Sequence, residues 1–304
     1  MNPPARTASR PLSGACSAAS EQLAEPLAGT SALATHWLCL EQPGPWGRDA
    51  LAESHLDHVI SEELMRRSAG TGVRVLLIRR PGAHADTHAP RPLQVYLAST
   101  QPGATALEHA TVHDPKELLD LDFAAIGAGR PAGLGTRLAD PLLLVCTNGR
   151  RDVCCALLGR PIAGDLAERR GTAIWECTHI GGHRFAPTAL VLPSGYSYGR
   201  LDVTAAESVL TAAARGEVVL SGCRGRSTWS RPAQVAELEV RRLVGEIHVD
   251  ALSITPVDGS WRVDHVDGRS WRVAVEERPA APPRPESCGK APGMPTTYVV
   301  TGVA

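Results

Sequence analysis

Short apolar runs alternate with amphipathic stretches along the first half of the chain. Residues 37–40, 73–78 and 93–97 are apolar, β-branched or aromatic runs bounded by Gly and Pro, which predicts strands. Between the first two runs, Asp49 is suited to cap a helix whose buried face recurs at helical spacing. That face consists of Ala52, His55, Leu56, Val59, Ile60 and Leu64. The order of strand, helix, strand and strand predicts a small α/β layer.

The second half of the chain repeats this pattern. Residues 141–145 predict a buried strand, Asp152 is suited to cap a helix that ends by Gly171, and residues 172–177 predict the next strand. Pro161 lies inside the helical pattern, where it predicts a kink or a break. Further predicted elements are a strand at 188–192, helices at 205–215 and about 233–247, and a hairpin within 257–275. We therefore predict an α/β fold.

These patterns divide the chain into five regions. Residues 1–34 are rich in Ala, Ser and Pro and predict a loosely ordered N-terminal arm. Residues 35–135 form an N-terminal α/β region, and residues 136–250 form a second α/β region that contains the candidate ligands. Residues 251–278 predict a C-terminal β-hairpin, in which W-R-V occurs twice, and the Pro-rich residues 279–304 predict a mobile tail.

Composition and charge exclude several classes of partner. The net charge of −1 at pH 7 gives no reason to expect nucleic-acid binding, because phosphates select a basic face. The N-terminus lacks the apolar core of a signal peptide, and no run reaches the roughly 18 apolar residues of a membrane helix. We expect a cytoplasmic protein that binds neither nucleic acid nor a membrane. In a reducing compartment, its 8 cysteines suit metal or redox chemistry better than disulfides.

Two cysteines and two histidines are candidate metal ligands. Cys146 and Cys155 bound a loop segment, and His179 and His183 bound the motif H-I-G-G-H. Two thiolates and two imidazoles suit zinc or an iron–sulfur cluster, whereas calcium and magnesium require oxygen ligands. Structural zinc usually takes its cysteines from a C-x-x-C turn, which this sequence lacks. The longer spacing favours a two-iron cluster, with zinc as the alternative.

The predicted elements place these ligands at the ends of strands and helices. Cys146 ends a predicted strand, at the edge where α/β sheets commonly bind ligands. Cys154 and Cys155 fall in the first turn of the helix capped by Asp152, where the helix dipole favours a thiolate. The glycines of H-I-G-G-H predict a tight loop instead of a helix, which allows both imidazole rings to reach one metal.

The same residues carry a resemblance to a known family. C-T-N-G-R-R-D-V-C-C-A and C-T-H-I-G-G-H-R-F-A resemble the sucrase/ferredoxin-like family, a group of thioredoxin-like ferredoxins, and the segments E-P-L-A-G-T and L-E-Q-P-G-P-W-G resemble its bacterial members. The resemblance implies a thioredoxin-like C-terminal half, and it allows the same fold for the smaller α/β half that precedes it. It also implies a 2Fe–2S cluster held by Cys146, Cys155, His179 and His183. Relatives often have a basic residue where Cys154 stands, so Cys154 is only the alternative to Cys155.

These observations predict an electron-transfer protein with proton-coupled redox behaviour, which exchanges electrons with an unidentified redox partner protein and is not itself an enzyme. Two alternatives stay open. A thiol–disulfide or peroxide oxidoreductase would use Cys154 or Cys155, although a C-x-x-C motif is missing. A structural zinc protein would use the same four ligands.

The other cysteines and histidines are given structural or surface roles. Cys39 and Cys177 lie in apolar strands and are expected in the core. Cys223 is expected in a loop, and Cys16 and Cys288 lie in terminal segments as bystanders. Four further histidines are expected to be solvated, namely His55, His58, His84 and His88.

Overall fold

The computed structural model describes residues 15–82 and 91–304, so His84 and His88 lie outside the described residues. These residues form helices and two β-sheets. The strands are β1 (His36–Glu41), β2 (Val73–Arg79), β3 (Leu93–Ser99), β4 (Ala106–Val112), β5 (Thr136–Arg137), β6 (Leu142–Cys146), β7 (Ile174–Cys177), β8 (Ala189–Leu192), β9 (Tyr196–Tyr198), β10 (Cys223–Arg226), β11 (Leu252–Val257), β12 (Ser260–His265), β13 (Ser270–Pro279) and β14 (Thr296–Val303). The α-helices are α1 (Cys16–Gln22), α2 (Ala50–Glu53), α3 (His58–Ser68), α4 (Phe123–Gly127), α5 (Val153–Arg170), α6 (Val203–Ala213) and α7 (Arg231–Val244). Short 3-10 turns lie at Pro115–Asp120, Gly171–Ala173 and His183–Phe185.

The large sheet is built from two halves with the same strand arrangement. Its order is β10-β9-β8-β6-β7-β2-β1-β3-β4-β5. In the first half, β1 pairs in parallel with β2 and antiparallel with β3, which pairs with β4. In the second half, β6 pairs in parallel with β7 and antiparallel with β8, which pairs with β9. Antiparallel pairing of β2 with β7 joins the halves. The predicted α/β class is confirmed, whereas the thioredoxin-like assignment stays a prediction.

Strand β6 shows how the sheet positions the candidate ligands. All of its residues are buried, as expected for a strand covered on both faces. Leu144 and Cys146 face one core, and Leu143 and Val145 face the other, where they pack with residues of α5 and α6. Because side chains alternate along a strand, Cys146 points to the same side as Leu144 at the strand's C-terminal end.

Two helices differ from the sequence expectation. The predicted helix after Asp49 is split into α2 and α3, because the Asp57 side chain accepts hydrogen bonds from the backbone N–H groups of Val59 and Ile60 and starts a new helix. The expected break at Pro161 does not occur, and α5 runs continuously through this residue. Pro161 is exposed. Water can therefore hydrogen-bond the carbonyl that loses its helical partner.

Both ends of the described chain are packed. Helix α1 is largely buried, which differs from a loosely ordered arm over residues 1–34, although residues 1–14 lie outside the description. The predicted tail, 279–304, contains β14, which pairs antiparallel with β13. The β-branched residues of β14 follow the prolines of the tail. The strand was not predicted because the average composition of residues 279–304 is Pro-rich. The predicted hairpin is β12 with β13, and β11 and β14 extend it to a four-stranded sheet.

Candidate metal centres

The N-terminus of α5 brings two adjacent thiols to the edge of the large sheet. Asp152 caps the helix as predicted, because its Oδ1 atom accepts a hydrogen bond of 2.9 Å from the Cys154 N–H. Consecutive helical residues project about 100° apart. Cys154 and Cys155 therefore point in different directions, and each thiol joins a separate group of potential ligands.

The first group contains the predicted ligands and is called here the thiol–imidazole group: Cys146, Cys155, His179 and His183. The ligand atoms of Cys146, Cys155 and His179 all lie within 4.8 Å of one another. His183 is adjacent, with its ring centroid 4.8 Å from that of His179. The structure thus brings three predicted ligands together and places the fourth beside them. Both thiols are fully buried, whereas the His183 side chain is 13% exposed.

The H-I-G-G-H segment forms a tight loop, as its glycines predict. Gly181 and Gly182 have φ angles of 85° and 70°, in the region that favours glycine. A Cβ atom at Gly182 would collide with the buried guanidinium of Arg224, which donates a 3.0 Å hydrogen bond to the Gly181 carbonyl. The Arg74 guanidinium donates a 3.0 Å hydrogen bond to the His179 carbonyl. Buried Arg224 and half-buried Arg74 therefore fix the loop that carries the imidazoles.

Hydrogen bonds and burial determine the charge of the thiol–imidazole group. A hydrogen bond from the Cys155 thiol, with others from His179 and the Asn148 backbone, holds the pKa of Cys146 well below its ordinary value despite burial. Its hydrogen bond to Cys146, together with burial, raises the pKa of Cys155 well above its ordinary value. Burial, with the neighbouring His179 ring, lowers the pKa of His183 to about 4. The thiolate form of Cys146 and the neutral form of His183 are therefore favoured, as metal binding requires.

Unsatisfied atoms mark this group as a ligand site. The Nδ1 atoms of His179 and His183 are buried, and neither has a hydrogen-bond partner in the described part of the chain. A buried polar atom without a partner costs about 1–3 kcal/mol. Coordination by the Nδ1 atoms would remove this cost, and two thiols with two imidazoles are a donor set for zinc or an iron–sulfur cluster. The residues therefore fit the metal centre that the resemblance implies.

A second group was not foreseen from the sequence and is called here the three-thiol group: Cys16, Asp152, Cys154 and Cys288. Their ligand atoms also lie within 4.8 Å of one another. Cys16 and Cys288 are therefore not isolated bystanders. No local spacing of residues predicts this group, because Cys16 and Cys288 are 272 positions apart in the sequence. Only the packing of the two chain ends brings their thiols together.

The remaining cysteines are structural. Cys39 and Cys177 are fully buried core residues, as predicted, and burial raises the pKa of both thiols. Cys223 was expected in a loop but lies buried in β10, where it packs with the second-half core. The run C-R-G-R has no apolar pattern that predicts a strand. It becomes a strand because it pairs antiparallel with β9.

A cleft of about 550 Å³ lies beside the thiol–imidazole group. His179 and Asn148 line it, together with four charged residues, of which Arg48, Arg74 and Arg151 are basic and Asp49 is acidic. The Asn148 Nδ2 atom is buried without a hydrogen-bond partner among the described residues. The cleft therefore combines an exposed edge of a candidate metal ligand with positive charge.

The profile of the sucrase/ferredoxin-like family matches residues 27–225, more than half of the chain. The chain belongs to the sucrase/ferredoxin-like family. The residues matched to the sucrase/ferredoxin-like profile include the complete thiol–imidazole group, whereas Cys16 and Cys288 lie outside them. No curated protein and no solved structure matches the chain. Among the described residues, no helix combines the length and hydropathy needed to cross a membrane.

Proposed function

We propose that this protein is an electron carrier whose 2Fe–2S cluster is bound by Cys146, Cys155, His179 and His183. The observation that carries the proposal is the meeting of two buried thiols with two imidazoles whose Nδ1 atoms lack hydrogen-bond partners in the described chain. When bound, such a cluster supplies one-electron transfer at a potential above that of an all-cysteine ferredoxin. Eight free thiols suit the reducing cytoplasm, where we place this activity.

The thiols and the imidazoles differ in burial, and this difference indicates where electrons would enter and leave. The thiols are buried, whereas His179 and His183 are partly exposed at the protein surface. The adjoining cleft is lined by Arg48, Arg74 and Arg151. Positive charge at the exposed end would attract and orient an acidic partner. The proposed redox partner is therefore a protein with an acidic docking surface.

Asp152 has the position of an orienting residue for His183. The His183 Nε2 atom lies 3.9 Å from the Asp152 Oδ2 atom, on the opposite side of the ring from the unsatisfied Nδ1. Carboxylates commonly accept the free ring N–H of a metal-bound histidine and so fix its orientation. A proton on Nε2 would be held near this carboxylate. This arrangement gives a physical basis for coupling proton uptake to electron uptake.

Burial weakens the thiol-enzyme alternative. Cys154 and Cys155 are both fully buried. A thiolate must reach the sulfur or peroxide of its substrate to react. The position at the helix start favours a thiolate, but the surrounding side chains leave little approach for a substrate. Zinc bound by the same four residues is the alternative that the donor set favours second.

Metal analysis of anaerobically purified protein tests the proposal. The expected result is a coloured protein that contains iron and acid-labile sulfide in equal amounts and is bleached by dithionite. Zinc without sulfide would assign the site to a structural metal and overturn the proposal. The matched control is His58→Ala, because His58 is exposed and far from both thiols in the sequence. It should retain the full iron content, whereas His179→Ala should lose it.

A further inference from the structure

We propose that the three-thiol group is a second metal site, in which Cys16, Cys154, Cys288 and Asp152 bind one zinc ion. The proposal does not depend on what the thiol–imidazole group binds. Three sulfurs and one carboxylate oxygen are a donor set that zinc accepts in a tetrahedral structural site.

The distances between the donors match a tetrahedral zinc site. The Sγ–Sγ separations are 3.8 Å for Cys16 and Cys154, 3.3 Å for Cys154 and Cys288, and 3.6 Å for Cys16 and Cys288. A zinc ion about 2.3 Å from each sulfur requires separations of about 3.8 Å. The Asp152 Oδ1 and Oδ2 atoms lie 3.8 Å and 3.5 Å from the Cys16 Sγ atom, and the tetrahedral geometry requires about 3.5 Å. The donors need to move apart only slightly to admit the ion.

The carboxylate is oriented by the residues that carry the thiols. Its Oδ1 atom accepts a hydrogen bond from the Cys154 N–H. Its Oδ2 atom accepts hydrogen bonds of 3.0 Å from the Ser287 hydroxyl and 2.8 Å from the Cys288 N–H. Ligating carboxylates in metal sites are held by such hydrogen bonds. Asp152 therefore connects two of the segments that supply the sulfurs.

Separate buried contacts hold the chain ends in place. Arg284 and Arg184 each donate a 2.9 Å hydrogen bond to the buried carboxylate of Glu25, so the segment before Cys288 is tied to the segment after Cys16. Arg200 donates hydrogen bonds to the Ser20 and Glu25 carbonyls. The thiols are thus brought together by packing that does not involve the thiols themselves. These contacts hold the three thiols in place before any ion binds.

The group suits a single ion better than a cluster or a disulfide. All three sulfurs lie within 3.8 Å of one another, which is the spacing of ligands that share one ion. A disulfide between any two of the cysteines would leave the third thiol and the Asp152 carboxylate without a role in the bond. A zinc ion uses all four groups and fastens both ends of the chain to α5. Its role would be to close the structure around the thiol–imidazole group.

Zinc content of the full-length protein, measured beside its iron content, tests this site. Protein kept under reducing conditions, stripped with a chelator and then given zinc should bind one zinc ion per chain at the three-thiol group. Cys288→Ala should lower the zinc content by one ion, because Cys288 is the most exposed of the three thiols and its replacement disturbs the core least. Cys39→Ala is the matched control and should keep all zinc. Equal zinc content in wild type and Cys288→Ala would overturn the proposal.

Two measurements on the wild type keep the test valid if the variants fold poorly. X-ray absorption at the zinc edge should show three sulfur and one oxygen ligands, and two sulfurs with two nitrogens would place the zinc at the thiol–imidazole group and overturn the proposal. Zinc should slow alkylation of Cys288 by about tenfold or more, because a bound thiolate is not free to react. An unchanged rate, or a Cys154–Cys288 disulfide that persists in protein kept under reducing conditions, would contradict the site. Iron and sulfide content reports separately on the electron-carrier proposal.

Discussion

Cys154 and Cys155 are consecutive residues in the first turn of α5, but their thiols belong to groups that differ in donors and exposure. The thiol–imidazole group adds two imidazoles to two thiols and reaches the surface through His183. The three-thiol group adds a carboxylate to three sulfurs and lies where the chain ends meet. The helix dipole favours a thiolate at both positions, but the hydrogen bond to Cys146 and burial raise the pKa of Cys155. The difference teaches that the remaining donors, contributed by other segments, determine which chemistry each thiol can support.

Replacing each of the two adjacent cysteines separately by serine gives the largest expected effect. Cys155→Ser should lose nearly all iron and sulfide, because it removes a ligand of the thiol–imidazole group. Cys154→Ser should keep iron and sulfide but lose the zinc of the three-thiol group. Iron, sulfide and zinc analysis of the two variants, purified side by side under anaerobic conditions, measures both effects. The opposite pattern would exchange the ligand assignments of the two cysteines.

The same comparison separates what the sequence predicts from what it does not. The strand before Cys146, the cap at Asp152 and the loop between His179 and His183 were predicted because each depends on residues within a few positions. Cys16 escaped prediction because its partners come from residues more than 100 positions away. The joining of the two halves through β2 and β7 is equally remote in the sequence.

Local sequence signals gave the wrong extent or type of structure in two places. The split between α2 and α3 depends on Asp57, whose carboxylate caps the second helix although the apolar spacing continues across it. Strand β14 escaped prediction because prolines precede it and its pairing with β13 is a tertiary contact. Helical spacing and composition therefore indicate which face is buried, whereas caps and long-range pairing determine where elements begin and end.

Glu25→Gln tests whether the three-thiol group depends on the contacts that anchor the chain ends. It leaves the guanidiniums of Arg184 and Arg284 without a carboxylate and should destabilise the protein by about 3 kcal/mol. Zinc binding should weaken in this variant, and iron should be retained. Urea unfolding and metal analysis measure these effects. Unchanged stability would show that the buried contacts of Glu25 contribute little.

The same carboxylate predicts how stability changes with pH. Burial would raise the pKa of Glu25, but hydrogen bonds from Arg284 and the charge of Arg184 lower it below its ordinary value of 4.5. Because the folded-state pKa is depressed, its contribution to stability is present above pH 4.5 and is lost as the pH falls through the folded-state value. Unfolding free energies measured from pH 6 downwards should therefore decline less steeply for Glu25→Gln than for the wild type.

His183→Cys tests the imidazole side of the thiol–imidazole group. An added thiolate makes the centre more negative and removes a titratable ring, so the potential should fall by roughly 100 mV and depend less on pH. Redox titration at several pH values measures both changes. The matched control is His58→Ala, which should leave the potential unaltered. An unchanged potential in a cluster-replete His183→Cys protein would remove His183 from the ligand set.

Asp152→Asn has the smallest expected effect on the potential, and it tests both groups at once, because Asp152 contacts residues of each. Asn keeps the helix cap, because its amide oxygen can still accept the Cys154 N–H. It removes a negative charge 3.9 Å from the His183 Nε2 atom, which should raise the potential of the thiol–imidazole group by roughly 50 mV. Zinc affinity at the three-thiol group should fall at least tenfold. Redox and zinc titrations of one preparation measure both effects, and a change in zinc affinity alone would show that the two groups are electrostatically independent despite sharing a helix cap.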